Sequence, residues 1–296
     1  MKRAIVNGAA GFAGYSLTIH LLQHGYEVYA ILRPNSPHND RFTTEEVRSA
    51  YGQKLHLIFC AGNNILNLTE QLSGPFDLFY HLVWAGARND HDAQVQNIPM
   101  TLDALRVAAR LSCRRFICTG SQAEYGPTTS VITEETLPMP NTDYGAAKLS
   151  ALYLSKSLAS HLGIEWIWGR IFSLYGLYEP SGRLYPDMIQ KFRHNEPLSL
   201  SDCTQNWEYL DVEDAAEALI ALGERGHDGE IYNISSGDPK PLKTFVEQLK
   251  AELCSASEIN YGAPADPYVS LQTDIHKICE HTEWMPETPF RAFYQF

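Results

Sequence analysis

The chain has 296 residues, 44% hydrophobic and 20% charged, a length that suits one large α/β domain or a main domain with a smaller lobe. Its 23 basic and 35 acidic side chains give a net charge of −12, which argues against a nonspecific nucleic-acid binder, because phosphate neutralisation needs a basic surface. The six cysteines are scattered without a C-x-x-C pair, so no zinc knuckle, redox dithiol or other metal site is expected.

The N-terminus runs from Met1-Lys2-Arg3 directly into a short apolar strand and then Gly8. This stretch is too short for the apolar region of a signal peptide or for a membrane span, so a reduced cytoplasmic setting without a membrane partner is predicted. In so acidic a protein, an anionic ligand must be held by local positive charge. Individual arginines are therefore candidate ligand-binding residues.

The first half of the sequence alternates short β-type runs with longer helical stretches. Strands are predicted at 4–6, 27–32, 55–59, 77–82 and 115–119, and helices at 14–23, 92–111 and 144–161. This alternation predicts an α/β fold of the Rossmann type, a doubly wound parallel sheet covered by helices on both faces. Ligands of such sheets bind at the carboxyl edge of the strands.

Proline and glycine suggest where this regular pattern changes. Pro99 lies inside the predicted helix 92–111, so we expect a kink or a helix start there. After Trp168, many prolines and glycines break the chain into short pieces, which is typical of a small lobe with binding loops. The predicted division is a dinucleotide-binding domain over 1–170 and a mainly substrate-binding C-terminal lobe over 171–296, with the chain returning to the sheet around 206–235.

A glycine-rich segment at positions 8–14 follows the first strand and opens the first helix. Gly8, Gly11 and Gly14 suit a dinucleotide pyrophosphate, because the turn must be tight and a β-carbon would keep the backbone from the phosphates. The N-terminus of the helix adds N–H groups and a positive dipole end. An ordinary glycine-rich turn is the alternative, and the placement directly after the N-terminal strand disfavours it.

The end of the second strand carries a signal for the cofactor. A free ribose 2′-hydroxyl calls for an acidic residue about 20 residues beyond the glycines, whereas a 2′-phosphate calls for an arginine. Arg33 stands at this position with Ser36 nearby, which favours NADP(H) over NAD(H). A solvated arginine at a strand end is the alternative.

Tyr144 and Lys148 begin the helix that follows Pro140-Asn141-Thr142-Asp143, a stretch rich in capping residues. A spacing of four places the phenol and the ammonium on one helical face. A phenol is a poor proton shuttle at neutral pH, but a nearby cation favours its phenolate form, and the pair can then exchange a proton with a carbonyl or hydroxyl oxygen. A surface pair on a helix is the alternative.

Three motifs occur in order along the chain: the glycine-rich turn, TGSQAEYG at 119–126, and Tyr144 with Lys148. Later landmarks are RIFSLYG at 170–176, QNWEYLDVEDA at 205–215, and the segment 274–286. Together they resemble the extended short-chain dehydrogenase/reductases, the family of nucleotide-sugar epimerases, dehydratases and reductases. The resemblance covers nearly the whole chain.

The resemblance implies roles for individual residues. Ser121 matches the hydroxyl that hydrogen-bonds the reacting oxygen, Tyr144 the general acid/base, and Lys148 the residue that activates the tyrosine and holds the nicotinamide ribose. Asn97 matches an asparagine that supports the site. The hydride chemistry belongs to the nicotinamide. The expected cofactor contacts are Gly8, Gly11, Phe12, Ala13, Gly14, Arg33, Ser36, Asn63, Leu82, Trp84, Asn97, Thr119, Tyr144 and Lys148.

Two residues argue against the dehydratase branch of the family. Its members carry an Asp-Glu pair directly after the serine or threonine, whereas this sequence has Gln122 and Ala123. Neither residue can serve as a carboxylate acid or base, so 4,6-dehydration is disfavoured.

Arg33 favours a reductase over an epimerase, because family epimerases keep a tightly held NAD whereas net reduction uses NADPH. Segments 81–89 and 120–126 and the Gln205-x-Trp207 motif are similar to the branch that reduces 4-keto-6-deoxy nucleotide sugars, such as the CDP-abequose and CDP-paratose synthases. This similarity implies hydride transfer from NADPH to a sugar ketone, with Tyr144 delivering the proton and Ser121 steadying the alkoxide.

The small lobe is expected to bind the nucleotide diphosphate. Arg183 is a candidate phosphate clamp, since a guanidinium can contact two phosphate oxygens, and a surface arginine is the alternative. Trp207 and Ser173 stand where many relatives have arginine and asparagine, so the nucleotide carrier stays open, and Trp207 either stacks on a base or, as we favour, fills core. The expected substrate contacts are Arg88, Ser121, Glu124, Tyr125, Tyr144, Ser173, Arg183, Gln205 and Trp207.

Three other functions stay open at this stage. The first is a nucleotide-sugar 4-epimerase with tightly bound NAD, and the second is an NADPH-dependent reductase of a small ketone or aldehyde. The third, a non-catalytic NADP-sensing protein, is disfavoured by the presence of Ser121, Tyr144 and Lys148. The resemblance also suggests a homodimer formed through the helices 92–111 and 144–161.

Overall fold

The computed structural model describes residues 1–263 and 270–293, except for the side chains of residues 62 and 63. A seven-stranded sheet lies at its centre, with the strand order β3-β2-β1-β4-β5-β6-β11 and all neighbours parallel. The order reverses between β1 and β4, where open α/β sheets bind their ligands. These strands are β1 (Arg3–Asn7), β2 (Glu27–Leu32), β3 (Leu55–Phe59), β4 (Phe76–His81), β5 (Cys113–Ser121), β6 (Glu165–Ile171) and β11 (Ile231–Ile234).

Helices cover both faces of the sheet, which confirms the predicted Rossmann-type α/β fold. The helices are α1 (Phe12–Gln23), α2 (Glu45–Tyr51), α3 (Leu68–Gln71), α4 (His91–Arg110), α5 (Asp143–Leu162), α6 (Leu184–His194), α7 (Val212–Arg225), α8 (Leu242–Glu252) and α9 (His276–Thr282). Short 3₁₀ turns occupy η1 (Pro37–Phe42), η2 (Gly62–Asn67) and η3 (Gln122–Glu124).

Alternate residues of each strand face the two helical layers, as the period of a β-strand requires. In β1, Ala4 and Val6 pack in the cluster that contains α1 and α7, whereas Ile5 packs in the cluster that contains α4 and α5. Both faces are therefore apolar and closed, so the carboxyl edge of the sheet is where polar side chains collect.

A third apolar cluster, built mainly on α6 and α8, forms a smaller lobe beside the sheet. Two-residue strands tie its loops together: β8 (Leu198–Ser199) pairs with β13 (Ile259–Asn260), and β9 (Asn206–Trp207) pairs with β12 (Lys240–Pro241). A further pair, β7 (Leu174–Tyr175) with β10 (Leu210–Asp211), lies where the chain leaves and re-enters the sheet layers. From there α7 packs against α1, and β11 pairs with β6.

Two expectations about the helices need correction. Of the kink or helix start expected at Pro99, the helix start is wrong, because α4 runs through this residue, and the kink stays a prediction. Helix α4 begins instead after Asp90, whose side chain accepts a hydrogen bond from the Ala93 N–H at 3.2 Å. The second half of the chain is also more regular than its prolines and glycines suggested, since α6, α7 and α8 have 11, 14 and 11 residues. None of the described helices is long and apolar enough to cross a bilayer.

Candidate active site

The glycine-rich turn between β1 and α1 is compact. Gly8 has a φ of +96°, and the Gly11 N–H donates to its carbonyl oxygen at 3.0 Å. A Cβ on Gly14 would lie only 2.1 Å from the same oxygen, so α1 can start this close to the strand only with glycine at position 14.

The same turn fits a dinucleotide pyrophosphate. Helix α1 begins at Phe12 with Ala13 in its first turn, and this described turn carries no acidic side chain that would repel a phosphate. The unpaired N–H groups of the helix start and its positive dipole end are available to an anion. Gly8, Gly11, Phe12, Ala13 and Gly14 therefore lie where a cofactor would need them.

Two arginines lie near this turn, one of which the sequence analysis missed. Arg33 directly follows β2 with its side chain exposed, and Ser36 precedes η1. The guanidinium of Arg41 donates to the Ala10 carbonyl oxygen at 3.1 Å and lies 4.0 Å from the ring centroid of Tyr178. Arg41 thus contacts the glycine-rich turn itself, and only the packing of η1 against that turn makes this visible.

Asn97 organises the loop that follows β4. Its side-chain oxygen accepts from the Ala85 N–H at 2.8 Å and its amide donates to the Ala85 carbonyl at 2.9 Å. The side chain is buried and supports the loop, and its contact with a cofactor stays a prediction. Leu82, at the start of this loop, donates its N–H to the Asn7 carbonyl at 2.9 Å.

His81 lies at the point where the strand order reverses. The Asn7 side chain donates to its Nδ1 at 2.9 Å, and its Nε2 lies 3.3 Å from the Thr101 hydroxyl. That hydroxyl donates to the Asn97 carbonyl at 3.0 Å, so the ring proton belongs on Nε2. Burial lowers the pKa of His81 to about 3, so the ring is neutral and links β1, β4 and α4.

The first turn of α5 presents Tyr144 and Lys148. The Thr142 hydroxyl caps this helix by accepting from the Gly145 N–H at 3.1 Å. Lys148 is 3% exposed, and its ammonium donates to the Thr119 carbonyl at 2.7 Å. Tyr144 is half-buried. The Lys148 side chain therefore contacts β5, and Tyr144 lies one helical turn before it on α5.

Ser121 ends β5 next to this helix. A Cβ on Gly145 would lie 2.3 Å from the Ala123 carbonyl oxygen, so the first turn of α5 packs directly on the turn that follows Ser121. The Ser121 hydroxyl donates to the Gln122 side-chain oxygen at 2.7 Å and accepts from the Ala123 N–H at 3.2 Å. The structure thus brings Ser121, Tyr144 and Lys148 to one edge of the sheet.

The side chains of Glu124, which ends this turn, and Tyr125, which follows it, are buried. The Glu124 carboxylate is fully buried and accepts from the Ser121 N–H at 2.8 Å, the Trp168 indole N–H at 3.0 Å and the Arg170 guanidinium at 2.7 Å. Tyr125 is 2% exposed and donates to the Asn233 side-chain oxygen at 2.7 Å. Both side chains are bonded within the protein and support the turn, and the substrate contacts expected of them stay predictions.

The remaining expected substrate residues lie in several separate segments of the chain. The Arg88 guanidinium lies 5.6 Å from the Tyr144 ring centroid, which places a positive charge beside the phenol. Arg183 directly precedes α6 with its side chain exposed. Ser173 and Gln205 are half-buried, and the Ser173 carbonyl accepts from the Leu210 N–H at 2.9 Å. Asn63 has its side chain outside the described part of the structure.

Trp207 has a largely structural environment. Its ring packs on the small-lobe cluster, with its centroid 6.3 Å from that of Tyr209. It also packs against a separate apolar cluster that contains Tyr125 and Phe172. The half-buried indole therefore lies against two apolar clusters, and the choice between a core position and stacking on a base stays open.

Comparison with known proteins shows which family this chain resembles in sequence. A model of the NAD dependent epimerase/dehydratase family matches residues 4–235. The chain is 25% identical over 277 residues to CDP-abequose synthase from Salmonella muenchen, across 89% of this chain and 85% of that protein. It is 26% identical over 311 residues to UDP-glucose 4-epimerase from Corynebacterium glutamicum, across 96% of this chain and 91% of that protein.

Solved structures share the fold over almost the whole chain. The UDP-glucuronic acid 4-epimerase from Bacillus cereus in complex with NAD has a TM-score of 0.83 and 24% identity, across 98% of this chain and 94% of that one. RMD from Pseudomonas aeruginosa complexed with NADPH has a TM-score of 0.78 and 20% identity, across 98% and 95%. These likenesses show the fold, and the family model covers most of the chain. The chain belongs to the NAD dependent epimerase/dehydratase family.

Proposed function

We propose that this protein uses NADPH to reduce the 4-keto group of a nucleotide-activated 6-deoxyhexose. The observation that carries the proposal is the convergence of Tyr144, Lys148 and Ser121 at the carboxyl edge of the sheet, beside a glycine-rich turn that fits a dinucleotide. The resemblance of the sequence to CDP-abequose synthase supports the substrate class.

Tyr144, Ser121 and Lys148 have different tasks in the proposed reaction. Tyr144 gives its phenolic proton to the oxygen that gains charge as the ketone is reduced. Ser121 donates a hydrogen bond to the same oxygen, for which its hydroxyl must turn away from Gln122. Lys148 holds a positive charge near the phenol and orients the nicotinamide ribose. The bound nicotinamide supplies the hydride.

The turn after Ser121 favours simple reduction over dehydration. Gln122 is an amide and Ala123 is apolar, so neither can remove a proton from the sugar or protonate a leaving hydroxyl. The Glu124 carboxylate cannot replace them, because it is fully buried and bonded to three protein donors.

The arginines near the adenosine end of the expected cofactor favour NADP(H) over NAD(H). Arg33 has an exposed guanidinium directly after β2, where a 2′-phosphate would lie. Arg41 adds a second guanidinium, which is already held against the glycine-rich turn. A cofactor with a 2′-phosphate would gain charge-assisted hydrogen bonds from these groups.

A nucleotide-sugar 4-epimerase is the second candidate, because UDP-glucose 4-epimerase is a relative of similar identity and coverage. Such an enzyme would use the same Tyr144 and Ser121 but would return the hydride to the sugar. For either reaction, Arg88 and Arg183 are the proposed contacts of the nucleotide diphosphate. The proposed working form is a homodimer paired through α4 and α5, and its proposed location is the cytoplasm.

The test mixes the purified protein with NADPH and a panel of 4-keto-6-deoxy nucleotide sugars while the absorbance of reduced nicotinamide is followed. We expect oxidation of NADPH with at least one member of the panel. Turnover of a simple ketone alone would overturn the sugar assignment. Interconversion of a nucleotide hexose at C4 without net NADPH oxidation would favour the epimerase.

A further inference from the structure

The indole of Trp84 contacts both side chains of the proposed catalytic pair. Its ring centroid lies 3.8 Å from the Lys148 ammonium and 6.1 Å from the ring centroid of Tyr144, with the two aromatic planes at 87°. The sequence analysis placed Trp84 among the cofactor contacts. The geometry suggests a different task for it.

The environment of Lys148 explains why such a ring is useful. The ammonium is buried, and among the described residues no carboxylate forms an ion pair with it. A buried charge needs compensation, which an indole face can give by a cation–π interaction. A carboxylate would neutralise the positive charge of the Lys148 ammonium, whereas the ring leaves that charge in place. Of the three N–H donors of the ammonium, one donates to the Thr119 carbonyl.

Trp84 is itself held in place before any ligand binds. Its indole N–H donates to the Gln94 side-chain oxygen at 2.7 Å, and the Gln94 amide donates to the Ala87 carbonyl at 2.8 Å. Gln94 is 1% exposed, and the neighbouring Ala85 backbone is bonded to Asn97. Helix α4 therefore fixes the orientation of the ring.

We infer that Trp84 is a positioning residue that holds the Lys148 ammonium beside Tyr144 while leaving its charge and its free N–H groups available. This inference rests on the proposed roles of Tyr144 and Lys148. It deepens them, because it says that the Trp84 ring, on the loop after β4, holds the pair in place before the substrate binds. Loss of the ring should therefore affect turnover more than binding.

The test compares Trp84→Phe, which keeps an aromatic face, with Trp84→Leu, which removes it. A cation–π contact of ordinary strength predicts that Trp84→Leu loses about 2- to 30-fold in kcat. The KM for the sugar should stay within about twofold, and any rise in the Kd for NADPH should be smaller than the loss in kcat. Trp84→Phe should recover most of the lost turnover. Lys156→Met removes a second Lys–Trp contact on α5, that with Trp166 at 5.7 Å, and should leave kcat unchanged.

A second readout does not depend on turnover. Labelling of Lys148 by an amine-reactive reagent, followed by peptide mapping, should be faster in Trp84→Leu than in the wild type or in Trp84→Phe. Equal kcat and equal labelling of the Leu and Phe variants would overturn the inference, as would a loss confined to NADPH affinity. If Trp84→Leu does not fold, the same comparison is made between Trp84→Phe and wild type, with a smaller loss expected.

The two proposals fail in different ways. If the wild type reduces no keto sugar, the proposed function fails, whereas the labelling of Lys148 still tests the placement of the ammonium by Trp84. If Tyr144→Phe abolishes turnover while Trp84→Leu retains it in full, the inference about Trp84 fails alone.

Discussion

The carboxylate of Glu124 accepts the backbone N–H of Ser121 at 2.8 Å, so a fully buried charge holds the residue proposed to bind the reacting oxygen. The same carboxylate is paired with Arg170, which is also buried. Because Arg170 lies on β6 and Ser121 ends β5, this ion pair ties the turn after β5 to the neighbouring strand. The hydroxyl of Ser121 is thereby presented on a rigid support.

Removal of this carboxylate should destabilise the protein strongly. Glu124→Ala leaves Arg170 buried without its partner, which costs about 3–5 kcal/mol of the free energy of unfolding. Urea denaturation followed by circular dichroism measures the change. Asp103→Asn, which breaks a solvent-exposed pair with Arg106, should cost no more than about 0.5 kcal/mol. Equal losses in the two variants would contradict the role given to Glu124.

The turn between β1 and α1 should tolerate no side chain at position 14. Gly14→Ala places a Cβ 2.1 Å from the Gly8 carbonyl, and the shift this forces should weaken NADPH binding by more than about tenfold, or about 1.4 kcal/mol. Quenching of tryptophan fluorescence by NADPH measures the affinity. The control Gly163→Ala, at the C-terminus of α5, strains a φ of +66° but meets no atom within 4 Å. It should lower stability and leave the affinity unchanged.

Arg33 and Arg41 should set the preference between cofactors. Arg33→Asp and Arg41→Gln each remove a charged donor near the expected 2′-phosphate, so each should raise the Kd for NADPH by about tenfold or more. The Kd for NADH should stay within about twofold, or fall for Arg33→Asp. Isothermal titration calorimetry gives both constants, and Arg48→Gln on exposed α2 serves as the control. Equal losses for NADPH and NADH would contradict recognition of the 2′-phosphate.

His81 should make the free energy of unfolding depend on pH in the acid range. Burial lowers its folded pKa to about 3, so the unfolded chain, with a pKa near 6.5, binds the proton more readily. The stabilisation from neutral His81 is therefore complete above about pH 6.5 and falls by about 1.4 kcal/mol per pH unit as the pH drops towards 3. Unfolding free energies measured from pH 7 to 4 should fall less steeply in His81→Gln than in the wild type. The variant His161→Gln, at an exposed position, should keep the wild-type slope.

Local signals explain which parts of this protein the sequence could predict. The glycine spacing, the strand bounds at 27–32 and 55–59, and the Tyr144–Lys148 pair each depend on residues close together in the chain, and the structure places them as expected. The doubly wound parallel sheet also follows from the alternation of strands and helices.

Contacts between distant segments explain the rest. Nothing near Glu124 in the sequence indicates that Trp168 and Arg170 surround it, so it was taken for a substrate contact. Arg41 was missed because only the packing of η1 on the glycine-rich turn brings it to Ala10. The contact of Trp84 with Lys148 joins the loop after β4 to α5, which are about 60 residues apart, in the same way.

The central claim is that Tyr144 protonates a sugar oxygen while NADPH delivers a hydride to the adjacent carbon. The most direct test uses NADPH deuterated at C4, a 4-keto-6-deoxy nucleotide sugar, and mass spectrometry and NMR of the product. The account predicts one deuterium at C4 of the sugar for each NADP⁺ formed, and loss of most turnover in Tyr144→Phe with an unchanged Kd for NADPH. A product without deuterium at C4, or full turnover by Tyr144→Phe, would contradict it.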